Sequence, residues 1–483
     1  MADTHSDDPY LRDVVARGDK GSALLYGMAK VTCEKSPYAR QINHPGKSFF
    51  VLNIPKGHNV YVHSASGDPI ELGVKEHATS LVERLCKQAE TLGATPIAFA
   101  NVIDSHDGDL SMLEKIAGAL VSEASKRNLA ILNGENAILG SRIPAFVQAN
   151  VSGTMISISA NYENPNCSSI DGVNYFSFDP KDEAVFVNSD GVGTKVEFYE
   201  RASKHWRALL DALAMTVDDD IKFGADAKGF SGTLEKVGRL SANHFFAKNR
   251  TLLKKLGIHV TLQEETCLGR INGYSRNAFH LSGSVVSTIS QHFLDNPLVP
   301  QEGDYLVAVR GESNPRSNGI SAKRELMRKW LGPKWHETTQ GKDYLDNYLA
   351  QPSTILYPLF KQLINQNLVH AVYHMSGGAY DGKLARPLAQ AGLFIEMEKD
   401  ALLKPRTKER ELVKFGGVEM KHAYGKWPMG VDGFVATHMP DETVDQVRAA
   451  GYEAKVCGPL QRNGQTGVKI HTYTGETVRF EGK

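Results

Sequence analysis

The sequence predicts an α+β protein built from two related N-terminal modules and a C-terminal α/β domain. Three observations carry this expectation. A set of residues recurs about 130 positions further on, apolar strands alternate with amphipathic helices, and two turn-rich stretches divide the chain.

The repeat is read from several matches. Leu110-Ser111 returns as Leu240-Ser241, Glu135 as Glu265, and Ser152-Gly153-Thr154 as Ser282-Gly283-Ser284. Gly93-Ala94 returns as Gly224-Ala225 and Ser64 as Ser189, with small drifts of the kind that surface loops tolerate. In the first module the pattern predicts strand 59–63, helix 74–92, strand 96–103, helix 111–128 and strands 129–132 and 146–158. In the second it predicts strand 184–188, helix 206–223, strand 227–233, helix 241–256 and strands 258–262 and 277–289. Leu210, Leu213, Ala214, Val217 and Ile221 form one apolar helical stripe, which is a core face. The Asn-, Pro- and Ser-rich stretch 163–171 and the stretch 295–303, with Pro297 and Pro300, mark boundaries. The division is an extension 1–47, a first module 48–160, a second module 161–294 and a C-terminal domain 295–483.

Composition excludes some functions. The 55 basic and 55 acidic residues cancel, which argues against non-specific binding to nucleic acid or anionic membrane. No apolar run is long enough to cross a bilayer. Met1 to Asp8 is polar and acidic, unlike a secretory or mitochondrial leader. The five cysteines are scattered with no metal or redox spacing, so a reducing cytoplasm is the expected compartment.

The most informative stretch is Asp190-Gly191-Val192-Gly193-Thr194-Lys195, between an apolar strand and a helical segment. Its glycines allow a tight turn and close approach of a ligand, while Asp190 and Lys195 offer a carboxylate for a hard cation and an ammonium for a phosphate. Asp218, Asp219 and Asp220 end the next helix; at about 100° per residue they cannot share one face, so one is a candidate ligand. The first module has Ala65 where the second has Asp190, and Gln88 where the second has Asp219. Only Glu265 keeps an acidic counterpart, Glu135. Asp190, Asp219 and Glu265 are therefore the candidate metal ligands, and one metal-phosphate site per chain is expected, in the second module.

Other polar clusters read differently. Asp104, His106, Asp107 and Asp109 suit helix capping and loop solvation better than metal binding. Asn314-Pro315-Arg316-Ser317-Asn318-Gly319 is either a capped turn or an anion-binding loop with Arg316 aimed at phosphate. His374 precedes Ser376-Gly377-Gly378, either as a packed strand histidine or in a ligand loop. Trp206, Trp330, Trp335 and Trp427 are dispersed and read as packing residues.

These motifs resemble the phosphoribosylformylglycinamidine cyclo-ligase (AIR synthetase) family. Asp190 to Lys195 matches its Asp-Gly-Val-Gly-Thr-Lys signature residue for residue; Asp218-Asp219 resembles its Asn-Asp before Gly-Ala, and Glu265-Thr266 its Gly-Gly-Glu-Thr. Arg316-Ser317-Asn318-Gly319 resembles its His-Ser-Asn-Gly, and His374 to Gly378 its His-x-Thr-Gly-Gly. The resemblance covers 171 to the C-terminus and implies binding of ATP and Mg2+. It implies that Asp190, Asp219 and Glu265 hold the metal, and that Asp190, Gly191, Gly193, Thr194, Lys195, Thr266, Ser317, Asn318, Gly319, Gly377 and Gly378 surround ATP and phosphate. Lys195, Arg316 and His374 are the candidate catalytic residues. The implied reaction turns formylglycinamidine ribonucleotide, a small phosphoribosyl substrate, into aminoimidazole ribonucleotide. Members of that family pair two such modules across a homodimer into a closed barrel, so the resemblance implies that the duplicated modules here form an internal barrel within one chain, and a monomer or weak homodimer is expected. The departures are Arg316 for His, and Gln263 and Glu264 for the paired glycines. They leave two alternatives: another phosphotransferase or amidine-forming enzyme of the superfamily, and a non-catalytic scaffold.

Overall fold

The structure, a computed structural model, describes residues 20–21, 23–28, 30–44, 47–67, 73–160, 167–267, 271–273, 276–312, 315–317 and 319–482. Asn314, Asn318 and the first part of the expected boundary, 161–166, lie outside these.

Nineteen strands are described. They are β1 (Ala39–His44), β2 (Lys47–Leu52), β3 (Asn59–Ser66), β4 (Thr95–Ser105), β5 (Ala130–Ile138), β6 (Ala149–Ser159), β7 (Cys167–Ile170), β8 (Val173–Phe178), β9 (Ala184–Gly191), β10 (Asp226–Lys236), β11 (His259–Thr266), β12 (Phe279–Ile289), β13 (Tyr305–Arg310), β14 (Ala371–His374), β15 (Phe394–Met397), β16 (Gly433–Thr437), β17 (Glu453–Pro459), β18 (Gly467–His471) and β19 (Thr477–Phe480). The longer helices are α1 (Val74–Thr91), α2 (Leu110–Lys126), α3 (Ala208–Ile221), α4 (Ala242–Leu256), α5 (Ile320–Leu331), α6 (Tyr357–Asn365), α7 (Thr407–Gly416) and α8 (Pro440–Ala449).

Two six-stranded sheets share one topology. The first runs β5-β4-β6-β3-β8-β7 and the second β11-β10-β12-β9-β2-β1. In both, one pair is parallel, β4 with β5 and β10 with β11, and the other neighbours are antiparallel. The repeat in sequence is thus a repeat in strand order. The hairpins are exchanged between modules. β1–β2 precedes the first module in the chain but pairs with β9 of the second, and β7–β8 pairs with β3 of the first. β7 occupies part of the stretch read from composition as a linker. All four of its residues are exposed, so no burial pattern marked it as a strand.

The sheets face each other. Part of the interface is apolar: Phe50, Val60, Ile156, Phe176, Val185 and Val286 belong to one buried cluster drawn from both sheets. The rest is a ladder of small hydroxyls: Ser64 with Thr154 at 2.9 Å, Ser64 with Ser231 at 2.9 Å, and Ser152 with Ser282 at 2.8 Å. Glycine brings the strands close there. A Cβ on Gly283 would lie 2.5 Å from the Ser231 carbonyl oxygen. The duplicated modules therefore close one internal barrel.

In the C-terminal domain helices alternate with strands, as expected, and the main sheet β14-β16-β13-β17 is antiparallel. A second sheet, β15-β18-β19, packs behind it around Trp427, Tyr424 and Phe434. One continuous apolar cluster runs from α3 of the second module to α6 and α8 of this domain, so the two are docked through Val217, Tyr357, Phe360 and Val447 among others. No helix among the described residues is long and apolar enough to cross a membrane.

Candidate functional site

Asp190, Lys195, Asp219, Arg316 and His374 of the sequence-predicted residues lie where α3 and the end of β9 face β14 and the loop before α5. Asp190 ends β9, and its Oδ1 accepts a hydrogen bond from the Gly191 amide at 2.7 Å. Gly193 then takes φ +63°, the left-handed turn expected of a glycine there.

The three aspartates of α3 separate as helical geometry requires. Asp218 faces the C-terminal domain. Its Oδ1 accepts the Leu356 and Tyr357 amides at 2.9 and 2.8 Å, and its Oδ2 pairs with Arg316 at 2.9 Å. Asp220 accepts the Ser287 hydroxyl of β12. Asp219 alone faces the cleft. It receives His374 Nε2 at 2.9 Å, Lys222 at 2.5 Å and Lys383 at 3.4 Å. Burial opposes its ionisation, but Lys222, Lys383 and His374 together hold its carboxyl well below the usual range. Asp190 moves the other way. Burial, with the charge of Asp219 nearby, raises it to about 7, against the Gly191 amide and Lys383.

His374 is neutral, pushed down to about 3 by burial despite Asp219. Arg316 Nη2 lies 3.3 Å from its Nδ1, so Nδ1 accepts and Nε2 carries the proton given to Asp219. Ser376 Oγ lies 3.1 Å from the same Nε2. The Gly377-Gly378 turn follows, with Gly378 at φ +83° and the buried Ala379 at φ +40°, a strained position for a residue with a Cβ. The π-helical turn Tyr380–Ala385 then carries Lys383 to Asp219.

Lys195 and Arg316 have partners other than the phosphate that the sequence suggests. Lys195 is fully buried, with its ammonium on Asp211 Oδ1 at 2.8 Å and on the Pro315 carbonyl at 2.8 Å. Arg316 is spanned by Asp218, His374 and the Thr354 carbonyl, the last at 2.7 Å. Both anchor the loop before α5. Asp211 is the hub of that anchor: besides Lys195 it accepts Ser317 Oγ at 3.0 Å, the Ser353 amide at 2.9 Å, and the Tyr199 and Ser353 hydroxyls. Sequence reading missed Asp211. The available signal was its place seven residues before Asp218, on the same helical face. Thr194 Oγ1 reaches Ser321 Oγ of α5 at 3.3 Å, and Gly319 caps α5 at φ +62°.

Glu265 is not brought to Asp190 and Asp219. β11 is three strands from β9, roughly 14 Å at the usual spacing, and Glu265 pairs with Arg84 of α1 at 2.6 Å. Thr266 ends β11 beside it. Arg84 also donates to the Ser66 carbonyl at 2.9 Å. Glu265 thus faces the first module, held on the Arg84 guanidinium. The departures Gln263 and Glu264 also point elsewhere. Gln263 accepts the Asn174 amide at 3.3 Å; Glu264 accepts the Ala242 amide at the start of α4 at 2.8 Å and pairs with Lys236.

The residue facing Asp190 from across the barrel is Asp104, which the sequence reading had placed in a solvated, capping cluster. Asp104 is instead buried, with its Oδ1 3.8 Å from where a Cβ on Gly191 would lie. Neither of its oxygens accepts a hydrogen bond among the described residues, although His280 Nδ1 lies 3.1 Å from Oδ2. Burial and the charges of Glu235, Asp190 and Glu135 raise it well above the ordinary carboxyl value. Asp109 does cap α2, accepting the Ser111 amide at 3.0 Å. Asp190 feels the charge of Asp219 and faces Asp104, and carboxylate oxygens are the donors a hard divalent cation takes, but in this structure the three carboxylates do not converge at metal-ligand separation.

No family model matches the chain. Three curated relatives, each named phosphoribosylformylglycinamidine cyclo-ligase, are similar to it. The Finegoldia magna protein is 24% identical over 307 residues, 61% of this chain and 85% of the relative. The Streptococcus mutans protein is 26% identical over 283 residues, 56% and 78%. The Thermodesulfovibrio yellowstonii protein is 26% identical over 321 residues, 61% and 87%. Among solved structures, E. coli HypE, a hydrogenase maturation protein, superposes with a TM-score of 0.42 at 14% identity, covering 62% of this chain and 86% of its own. Over 56–61% of its length the chain is thus similar to phosphoribosylformylglycinamidine cyclo-ligases (AIR synthetases), and its first-domain-like module is present twice and altered in the first copy.

Proposed function

We propose that this chain is an ATP-dependent cyclo-ligase that converts formylglycinamidine ribonucleotide to aminoimidazole ribonucleotide. The observation that carries the reading is the pairing of Asp190 with Asp219 at the mouth of the docked second module and C-terminal domain, with Lys222, Lys383 and His374 around them. Mg2+ is the proposed cation, held by Asp190 and Asp219 with Asp104 opposite. When bound it would neutralise charge on the ATP phosphates.

The remaining work falls to the chain itself. Lys383 and Lys222 supply positive charge beside the carboxylates and are part-exposed, so a polyphosphate can reach them. His374 orients Asp219 by a hydrogen bond given from its neutral ring. Lys195, Arg316 and Asp211 hold residues 315–317 against α3, which fixes the cleft for the substrate. In the proposed reaction the γ-phosphoryl group passes to the formamide oxygen. A substrate nitrogen then bonds to the formamide carbon, the ring closes, and phosphate leaves with that oxygen. No protein nucleophile is required.

The test is ATP turnover by purified protein with and without formylglycinamidine ribonucleotide, for the wild type and Asp190→Asn. The reading expects turnover that depends on that substrate and on Mg2+ and is lost in the variant. Turnover with a different acceptor, or none with this one, would reject it. The protein is further proposed to be a monomer or weak homodimer, since its barrel closes within one chain.

A further inference from the structure

Among the described residues, the internal repeat shows a face that is covered in one module and bare in the other. α2 and α4 are equivalent helices. On α2, Leu113, Ile116, Ala117, Leu120 and Ala124 are at most 4% exposed. Part of their cover is the N-terminal helical stretch within residues 20–33. Leu25 and Met28 belong to the same buried cluster, and a Cβ on Gly21 would lie 3.1 Å from Leu113 Cδ1. The stretch also seals the free edge of β5: Thr32 Oγ1 accepts the Ile131 amide at 2.8 Å, and Cys33 Sγ donates to the Ile131 carbonyl at 3.3 Å.

The corresponding positions on α4 are Asn243, Phe246, Ala247, Arg250 and Lys254. All are exposed except Phe246, which is half-buried. They line an open groove of about 620 Å³, whose far wall is the start of β11 and Cys167 of β7. From Asn243 to Lys254 the groove follows α4 for about 16 Å, three helical turns. Its floor is apolar, with Phe246, Leu253 and Ile258. Its rim is basic: Arg250 and Lys254 lie four apart on one helical face, and neither has an acidic partner among the described residues. No carboxylate lines it. Among the described residues, nothing fills in the second module the place that a chain helix fills in the first, and its lining has changed from apolar to cationic.

We propose that this groove docks an amphipathic helix of a partner protein, with its apolar face on Phe246 and Leu253 and carboxylates toward Arg250 and Lys254. The proposal does not depend on the cyclo-ligase reading. It rests on the repeat, which shows what such a face accepts, and on charge, which says how this one differs.

The probe is a fluorescein-labelled peptide of residues 20–35 carrying Lys20→Glu, Lys30→Glu, Lys35→Glu and Cys33→Ala. A control peptide carries Cys33→Ala alone. Anisotropy is read with the full-length chain and with its Arg250→Glu/Lys254→Glu variant, whose changes lie at exposed positions. Alkylation of Cys167 reports location, because it is the exposed cysteine and Cys33, Cys86, Cys267 and Cys457 are buried. The glutamate peptide should bind at least tenfold more tightly than the control, lose at least tenfold on the variant, and slow Cys167 alkylation at least fivefold. Equal binding of both peptides, indifference of the variant, or unchanged Cys167 alkylation at saturation would overturn the proposal. So would protection of Cys167 that rises with protein concentration alone, which would make a second copy the occupant.

Discussion

Ser152 and Ser282 occupy equivalent positions in the two modules, and their hydroxyls lie 2.8 Å apart across the barrel. A residue touches its own counterpart only near a two-fold axis. The surrounding contacts obey the same relation. Ser64 meets Thr154 in one module as Ser189 meets Ser284 in the other. Asn150 reaches Glu235 at 2.6 Å, and its counterpart His280 faces Asp104. The pseudo-symmetry places the end of each module's strands over the other module's site. Glu265 therefore lies on Arg84, and Asp104 lies opposite Asp190.

The first prediction concerns Asp190. Its carboxyl is raised to about 7, so above that pH the folded chain holds an unfavourable charge that the unfolded chain hydrates freely. Asp190→Asn removes the charge at nearly constant shape. Without added cation the variant should be more stable at pH 8, by about 1–3 kcal/mol after allowing for partial exposure, with the gain vanishing below about pH 4. Thermal melts at both pH values check this.

The same shift governs cation binding. Below about pH 7 a cation must displace the Asp190 proton; above it none is displaced. Mn2+ affinity should therefore fall about tenfold per pH unit below 7 and level off above it. Titrations between pH 5.5 and 8.5 would show the break.

Lys195 and Asp211 are both fully buried, and Asp211 has several other donors. Asp211→Ala should destabilise the chain by about 3–5 kcal/mol, because it leaves the buried Lys195 ammonium with the Pro315 carbonyl but no carboxylate. Adding Lys195→Met should recover part of that loss. A phosphate-binding Lys195 with no anchoring role would show no such recovery in a double-mutant cycle.

Much of the fold was legible because both modules repeat one hydrophobic pattern. The α3 stripe and the Asp190 to Lys195 turn are local, and the sequence encodes them locally. The hairpins β1–β2 and β7–β8 were not read. They are short, and β7 is exposed along its whole length, so neither carries a clear two-residue alternation. The proposed metal site was legible only where its residues are close in sequence. Asp190 and Asp219 are near each other because β9 and α3 are sequential neighbours. Which module Glu265 or Asp104 serves is set by the two-fold relation between sheets, which no local pattern records. Arg84 was silent for the same reason: its partner is 181 residues away in the other module.

Arg84 gives a further prediction. Arg84→Met leaves Glu265 without its cation. The loss should be about 1 kcal/mol, since Arg84 is part-exposed. Urea melts of the wild type and the variant would measure it.

The most direct measurement is the number and place of cations bound with ATP. Equilibrium dialysis of Mn2+ with ATP, for the wild type and Asp190→Asn, should give one ion per chain and none. Two ions per chain, or an ion that survives Asp190→Asn, would place a working site in the first module and contradict the account.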